Sequence, residues 1–352
     1  MKSSLRRSLG ASLGMLILIL DSKTALLGAR EGLSLCIATV IPSLLPFFVL
    51  STLLTAGLTA ADTPFLRPLE GFLRMPKGSG ALFAIGLLGG YPTGAQAVAE
   101  CYRNGNLRRT DAERLLPFCS NAGPAFLFGI VAAHFSSAFV PWLLWGILTL
   151  SDIATALLLP GDPTAGSILP RQLTLTQALE QSLKAMARVC GWIILFRVVI
   201  SFANRWFLWY LPDTWQIFLC GLLEMTIGCT ALDHIQLEAL RYILCAVLLS
   251  FGGVCVTMQT ASVTAPLSLR CYVPGKLMQA AFCALLAVLT APFVTENGDV
   301  SVENRLLLPA IFILFLICAM IFKKRVAFRR NMRYNPVTIT KQEEMSCSSE
   351  SA

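Results

Sequence analysis

Charge is scarce in this chain. Of its 352 residues, only 14% are charged and 55% are hydrophobic, whereas soluble domains carry about 25% charged residues. Apolar runs of roughly 17–25 residues, long enough to cross a bilayer, recur from end to end. A soluble core accounts for one such run but not for eight or more. The composition therefore predicts an all-α, polytopic helical membrane protein.

The residues and motifs of catalysis are also missing. The chain has two histidines, His134 and His234, and both lie near the ends of predicted segments. Its twelve cysteines form no C-x-x-C pair, and no H-E-x-x-H, G-x-S-x-G or P-loop motif is present. We predict that the protein is not an enzyme and has no disulfide framework, metal or cofactor. Without an ATP site, any transport would be secondary or passive.

The net charge of +8 does not indicate nucleic-acid binding in such a chain. Its basic residues cluster in short loops and in the tail after Lys323, a pattern that marks the cytoplasmic side of a membrane protein. The lipid bilayer is therefore a predicted partner and nucleic acid is not. The apolar run Met15–Leu20 is followed by Asp21 instead of a cleavage site, which predicts a retained first helix.

One hydrophobic segment contains a cluster of helix breakers. Gly89, Gly90, Tyr91, Pro92 and Gly94 lie within six residues, inside a stretch that otherwise reads as a membrane helix. In hydrocarbon, a broken helix leaves backbone groups unpaired, so breaks persist only inside protein or beside a polar cavity. Many transporters bind their substrates at such discontinuous helices.

Basic residues on both sides of this break favour a re-entrant hairpin. Arginine and lysine mark the cytoplasmic side of a membrane protein, so both flanks of the break are expected in the cytoplasm. The basic residues before the break are Arg67, Arg74 and Lys77, and those after it are Arg103, Arg108, Arg109 and Arg114. A full crossing would export one flank, whereas a hairpin with its tip at Gly90–Pro92 keeps both inside.

The sequence divides into two repeat-like membrane halves, each with a broken or re-entrant helix. Gly89-Gly90-x5-Gln96 has a counterpart in Gly252-Gly253-x5-Gln259, and internal duplication is common in transporters. Parallel and inverted arrangements both remain open. The predicted parts are a first half, a linker with an amphipathic helix, a second half and a basic, then polar, cytoplasmic tail, at 1–160, 161–188, 189–322 and 323–352. Predicted helices include 8–27, 32–58, 214–231 and 305–322.

Polar groups near the breaks, and charges within apolar runs, are the candidate ligands. Arg197 could bind a carboxylate or could only neutralise Glu224, and Asp152 is a third charged candidate. The polar groups could equally serve only the broken backbone. The candidate substrate-binding residues are Gly89, Gly90, Tyr91, Pro92, Thr93, Gly94, Gln96, Ser120, Asn121, Arg197, Glu224, Thr226, Gly252, Gly253, Gln259 and Ser262.

Several stretches, in the same order, resemble one family over roughly residues 30–295. They are Gly90–Ala95, Ile41–Phe48, Ala112–Leu116, Ser120–Pro124 and Glu224–Gly228. The family is that of the sporulation integral membrane proteins called YlbJ or SpoVV. The chain departs from it in having Gly123 and Ala125 where the family usually has serine and leucine.

The resemblance implies a nucleoside-recognition (Gate) membrane domain in an endospore-forming cell. It implies transport of a small organic anion, most specifically dipicolinic acid, into the developing spore across the outer forespore membrane. A non-transporting sporulation scaffold and a nucleoside-type solute carrier are the alternatives. Partners would be a small anionic solute and the lipid bilayer. Homo-oligomers and complexes with other sporulation membrane proteins are both left open.

Overall fold

The computed structural model describes residues 2–60, 66–161 and 173–294, in which every regular element is helical. The first nine helices are α1 Lys2–Leu20, α2 Ser22–Leu35, α3 Ile41–Ala60, α4 Arg67–Phe72, α5 Gly80–Gly89, α6 Thr93–Arg103, α7 Arg109–Leu115, α8 Pro124–Gly129 and α9 Val140–Leu158. The remaining six are α10 Leu175–Trp206, α11 Asp213–Leu223, α12 Met225–Thr230, α13 Glu238–Phe251, α14 Gly253–Thr264 and α15 Tyr272–Thr290.

Five segments of the described chain are long and apolar enough to cross a membrane. They are Ser22–Leu54, Val140–Leu158, Leu175–Trp206, Glu238–Thr264 and Tyr272–Thr290. Large apolar side chains also lie exposed along α1, α2 and α10, as expected of surfaces that face lipid and not water. The prediction of a polytopic helical membrane protein is confirmed. The two-repeat arrangement is not confirmed and stays a prediction.

The first helices begin and end at other residues than the sequence pattern suggested. Instead of helices over 8–27 and 32–58, α1 ends at Leu20 and α2 begins at Ser22. The carboxylate of Asp21 accepts a hydrogen bond from the Thr24 backbone N–H at 3.3 Å, so this residue caps α2. A π-helical turn over Cys36–Val40 then joins α2 to α3 without a break.

Residues 175–188, part of the predicted amphipathic helix, continue without a break into the membrane segment that follows. They belong to α10, a single helix of 32 residues that begins with a capping box between Thr174 and Gln177. Gly28 and Gly32 of α2 lie against this helix, and a β-carbon on Gly32 would be 2.9 Å from the Cα of Ile194. Small residues thus allow α2 and α10 to approach closely, as in many membrane helix pairs.

Two short helix pairs fold back on themselves as hairpins. In the first, formed by α5 and α6, a β-carbon on Gly94 would lie 2.7 Å from the Cα of Gly86. In the second, formed by α11 and α12, a β-carbon on Gly221 would lie 3.2 Å from the Cα of Gly228. The first hairpin has the geometry expected of a re-entrant segment. The second was not foreseen, because residues 214–231 read as one helix.

The second predicted break has a different geometry. Gly252 has φ +78°, in the left-handed region, and separates α13 from α14 within the 27-residue span Glu238–Thr264. Glycine adopts this conformation without the strain that a side chain adds. The first break therefore reverses the chain in a hairpin, whereas the second interrupts a helix that is long enough to span the membrane.

A buried arginine joins the loops around α4 and α7 to the bundle. Arg114 of α7 donates hydrogen bonds to four backbone oxygens, those of Leu73, Arg74, Ala156 and Leu159. These carbonyls lie at or just beyond the ends of α4 and α9, where helices leave acceptors unpaired. Burial lowers the pKa of the guanidinium to about 10, so it remains charged at neutral pH.

Several predicted elements lie outside the described residues. They are the helix over 305–322, the tail over 323–352 and most of the linker between the halves.

Candidate functional site

A cavity lies where the tips of the two hairpins approach each other. Its walls include Tyr91 at the first tip, Glu224 and Thr226 at the second, and Gln259 of α14. Apolar side chains of α3 and α10 form the opposite wall. The empty space is about 490 Å³, a volume that includes its open mouth.

The backbone at the first tip is fitted closely to the break after α7. Gly90 has φ +71°, and a β-carbon there would lie 2.9 Å from the backbone nitrogen of Gly123. A β-carbon on Gly123 would lie 2.8 Å from the Cα of Gly90. Both glycines line the cavity. The absence of side chains therefore brings two broken segments into direct backbone contact.

Tyr91 connects the first hairpin to the break between α13 and α14. Its hydroxyl lies 3.3 Å from the carbonyl oxygens of both Leu249 and Ser250, to which it donates. Those carbonyls belong to the last turn of α13, where intrahelical partners run out. A β-carbon on Gly252 would lie 3.0 Å from the tyrosine ring and hydroxyl. One side chain thus satisfies carbonyls freed by the other break.

Glu224 forms the tip of the second hairpin and caps α12. Its side chain is 1% exposed, and Oε2 accepts a hydrogen bond of 2.7 Å from the Ile227 backbone N–H. A carboxylate at a helix N-terminus is stabilised by the free N–H groups and by the helix dipole. The local role of Glu224 is therefore that of an N-cap, while the same side chain lines the cavity.

The suggested pairing of Arg197 with Glu224 does not occur in the structure. Arg197 donates to Oε2 of Glu31 on α2 through Nε at 2.9 Å and Nη2 at 2.6 Å. The Arg197 side chain is 27% exposed and that of Glu31 is 52% exposed. Arg197 does not line the cavity.

The candidate residues thus fall into three groups. Those that line the cavity are Gly89, Gly90, Tyr91, Glu224, Thr226 and Gln259. Those that support its walls from behind are Pro92, Thr93, Gly94, Ser120, Asn121, Gly252 and Gly253. The others, outside the lining, are Gln96, Arg197 and Ser262. Ser262 is exposed and donates to the Gln259 backbone carbonyl at 2.7 Å.

A buried polar network lies beneath Tyr91, and two of its members were missed from the sequence. Lys276 and Gln279 are one turn apart on α15, and both are at most 1% exposed. The Lys276 ammonium donates to the Ser120 carbonyl, to Asn121 Oδ1 and to Gln279 Oε1. The Gln279 amide donates to Asn121 Oδ1 at 3.0 Å and to Asp152. The sequence feature that could have revealed this network is a lysine within the apolar segment 272–294.

Tyr91 separates this network from the cavity. The Lys276 Nζ lies 5.0 Å from the centroid of the Tyr91 ring, within the range of a cation–π contact. The backbone gives a second, short connection between the network and the cavity. Ala122 and Gly123 line the cavity and directly follow Ser120 and Asn121, which belong to the network. Charges in the network can therefore act on the cavity wall through the tyrosine and through the broken backbone.

The cavity wall offers hydrogen bonds and helix dipoles, but no side-chain cation among its described residues. Helices α6, α8, α12 and α14 begin at this wall or within a turn of it. Helix N-termini carry partial positive charge and free N–H groups. In the described chain, no cluster of three or more His, Cys, Asp or Glu side chains could hold a metal ion.

These features define a helical integral membrane protein with a cavity between broken helices. The chain is 28% identical over 313 residues to the sporulation integral membrane protein YlbJ of Bacillus subtilis (strain 168). The match covers 74% of this chain and 76% of that protein. It confirms the resemblance seen in the motifs and supports membership of the YlbJ family. No protein-family model matches the chain, and no solved structure matches it.

Proposed function

We propose that this protein is a carrier, not an enzyme, and that it moves a small organic anion through the cavity. Dipicolinate is the proposed solute, and the outer forespore membrane is the proposed location. The sporulation relative supports the setting. The observation that carries the proposal is the cavity itself, which lies between two hairpin tips and is linked by Tyr91 to a third break. Breaks of this kind surround the solute sites of many secondary transporters.

Helix ends are the main attraction for an anion. Four helices present their N-terminal ends at or near the wall, and such ends stabilise negative charge. Glu224 already occupies the N-terminus of α12, so α6 and α14, with 11 and 12 residues, are the more available ends. The carboxylate of Glu224 would repel a dianion unless it carries a proton.

A nucleoside-type solute is the second candidate. The lining has no lysine or arginine, but it offers the amide of Gln259, the hydroxyl of Thr226 and the carboxylate of Glu224. These groups suit the hydrogen bonds of an uncharged polar solute better than two carboxylates.

Gene deletion separates the carrier from a non-transporting scaffold. If the protein carries dipicolinate, spores of the deletion strain contain much less of it, and re-expression of the gene restores the content. Normal spore dipicolinate in the deletion strain would contradict the carrier proposal and favour the scaffold.

Reconstitution identifies the solute. Purified protein in proteoliposomes is expected to take up labelled dipicolinate, and unlabelled dipicolinate should compete better than uridine. The opposite order of competition would assign the cavity to a nucleoside-type solute. Glu224→Gln, which removes a negative charge while keeping a polar side chain, should improve dipicolinate uptake relative to uridine uptake.

A further inference from the structure

The buried network beneath Tyr91 holds two opposite charges that do not touch. Lys276 and Asp152 lie on the spanning helices α15 and α9 and are 1% and 0% exposed. No direct ion pair joins them in the described chain, because Gln279 lies between and bonds to both. Charged side chains inside a membrane are costly and usually mark an ion or proton pathway.

The hydrogen bonds around Lys276 fit an ammonium group. Three oxygen acceptors surround Nζ, those of the Ser120 backbone, Asn121 and Gln279. An ammonium has three N–H donors and satisfies all three, whereas a neutral amine has two and leaves one acceptor without a proton. The Asn121 amide is oriented independently, because its Nδ2 donates to the Phe118 carbonyl at 2.9 Å.

The network also has unused capacity. Asp152 Oδ2 and Ser120 Oγ are buried and have no hydrogen-bond partner among the described residues. A buried carboxylate oxygen without a donor is costly, and a proton on Asp152 would remove that charge. A network built only for stability would be expected to satisfy both groups.

We propose that Lys276, Gln279 and Asp152 form a proton-binding site that couples proton movement to solute movement in the cavity. This inference rests on the proposed carrier function. One proton is bound as the third N–H of Lys276 and is released to water when the ammonium becomes an amine. Asp152 balances the charge of the protonated form, and Gln279 holds the two groups at a fixed separation.

The proton-binding site can affect the cavity through Tyr91 and through the backbone at Ser120 and Asn121. Loss of the proton removes the cation that faces the Tyr91 ring and one of the donors shared by Ser120 and Asn121. Tyr91 is a wall of the cavity and also caps α13. The titratable groups around Lys276 and Asp152 are Tyr91 at the hairpin tip, Cys119 before the break, and Tyr272 and Cys283 on α15.

Proteoliposomes test the coupling. With wild-type protein, an imposed gradient of one pH unit should change the steady-state accumulation of dipicolinate about tenfold if one proton moves with each solute. Lys276→Gln should abolish this dependence while dipicolinate still exchanges down its own gradient. Lys184→Gln is the matched control, because Lys184 is an exposed lysine on α10 paired with Glu180, and it should behave as wild type.

The outcomes separate the two proposals. Gradient-independent accumulation by the wild type, with uptake intact, would overturn the proton site and leave the carrier. If dipicolinate does not move at all, the carrier proposal fails for that solute, and a solute-free measurement decides the proton site. In that measurement, infrared difference spectra between acidic and alkaline pH should show a shifted carboxylate band, because Asp152 loses the neighbouring positive charge when Lys276 releases its proton. The shift should be absent from Asp152→Asn and from Lys276→Gln, and its absence from the wild type would overturn the site. Asp152→Asn, which keeps the side-chain shape, also covers the case in which Lys276→Gln does not fold.

Discussion

At the residue scale, Gly94 of the first hairpin is constrained by its contacts and not by its backbone conformation. Gly94 does not have a positive φ, yet a β-carbon there would meet the Cα of Gly86 and the carbonyl of Cys119. Backbone atoms cannot rotate away as a flexible side chain can. Substitution must therefore separate α5 from α6 or from the segment that contains Cys119.

Gly94→Val is accordingly expected to abolish dipicolinate loading of spores. The wider side chain would push the hairpin out of its seat and deform the cavity wall. Spore dipicolinate content and the amount of protein in membranes are the measurements. Gly146→Val on α9 is the control, because a β-carbon there meets nothing within 4 Å and should leave both quantities nearly unchanged. Full dipicolinate loading by the Gly94 variant would contradict the close packing of this hairpin.

Substitutions of Arg197 and Glu224, two of the charged candidates in the sequence, are expected to change the stability of the protein by different amounts. Arg197→Leu, made together with Glu31→Leu so that neither charge is left alone, removes a pair that lies outside the cavity, and replacing both partners of such a pair by apolar side chains is often nearly neutral for stability. Glu224→Leu removes the cap of α12 and leaves the Ile227 N–H unpaired in a buried position, a loss of about 1–3 kcal/mol. Thermal unfolding of the purified variants in detergent should show the larger shift for Glu224. A larger shift for the double variant of Arg197 and Glu31 would mean that this pairing is misassigned.

At the element scale, the bundle is held to its loops through helix ends. Arg114 supplies donors to four carbonyl oxygens near the ends of α4 and α9. Arg114→Leu should therefore lower the amount of folded protein severalfold, because four acceptors lose their donor at once. Arg109→Leu is the control, since its side chain is 56% exposed and bonds mainly to Glu113. Fluorescence-detected size exclusion of tagged variants would measure the difference, and equal profiles would contradict this role of Arg114.

The hairpin formed by α5 and α6 makes a prediction about sidedness. Lys77 and Arg108 are exposed residues on the two flanks of the hairpin, so Lys77→Cys and Arg108→Cys should be labelled by an impermeant thiol reagent from the same side of the membrane. The positive charge of both flanks predicts that this side is the cytoplasm. Labelling from opposite sides would show that the segment crosses the bilayer.

The sequence was informative where a break depends on local chemistry. The breaks at Gly90 and Gly252 were predicted because glycine and proline disturb a helix wherever they occur. The break at Glu224 was missed, because a glutamate that caps a helix can be recognised only when the position of its backbone N–H donor is known. Lys276 and Gln279 were missed for a related reason. Their importance depends on the rotation and depth of α15, which are set by packing against distant segments.

At the scale of the whole molecule, the cysteines report on burial. Ten lie in the described residues; eight are buried, and Cys190 and Cys271 are partly exposed. Labelling of folded protein with a bulky maleimide should therefore modify few of these thiols, and unfolding in detergent with urea should expose the rest. Mass spectrometry of the labelled peptides gives the count. Rapid labelling of Cys119, Cys245 or Cys255 in the folded state would contradict the arrangement of the broken helices.

The contact between Gly90 and Gly123 has a consequence for comparison across relatives. The resemblance implies a serine where this chain has Gly123, and a β-carbon at that place would lie 2.8 Å from the Cα of Gly90. A relative with that serine must hold its hairpin tip farther from the second broken segment. We therefore expect the cavity to differ in width between relatives that have serine at this position and those that have glycine.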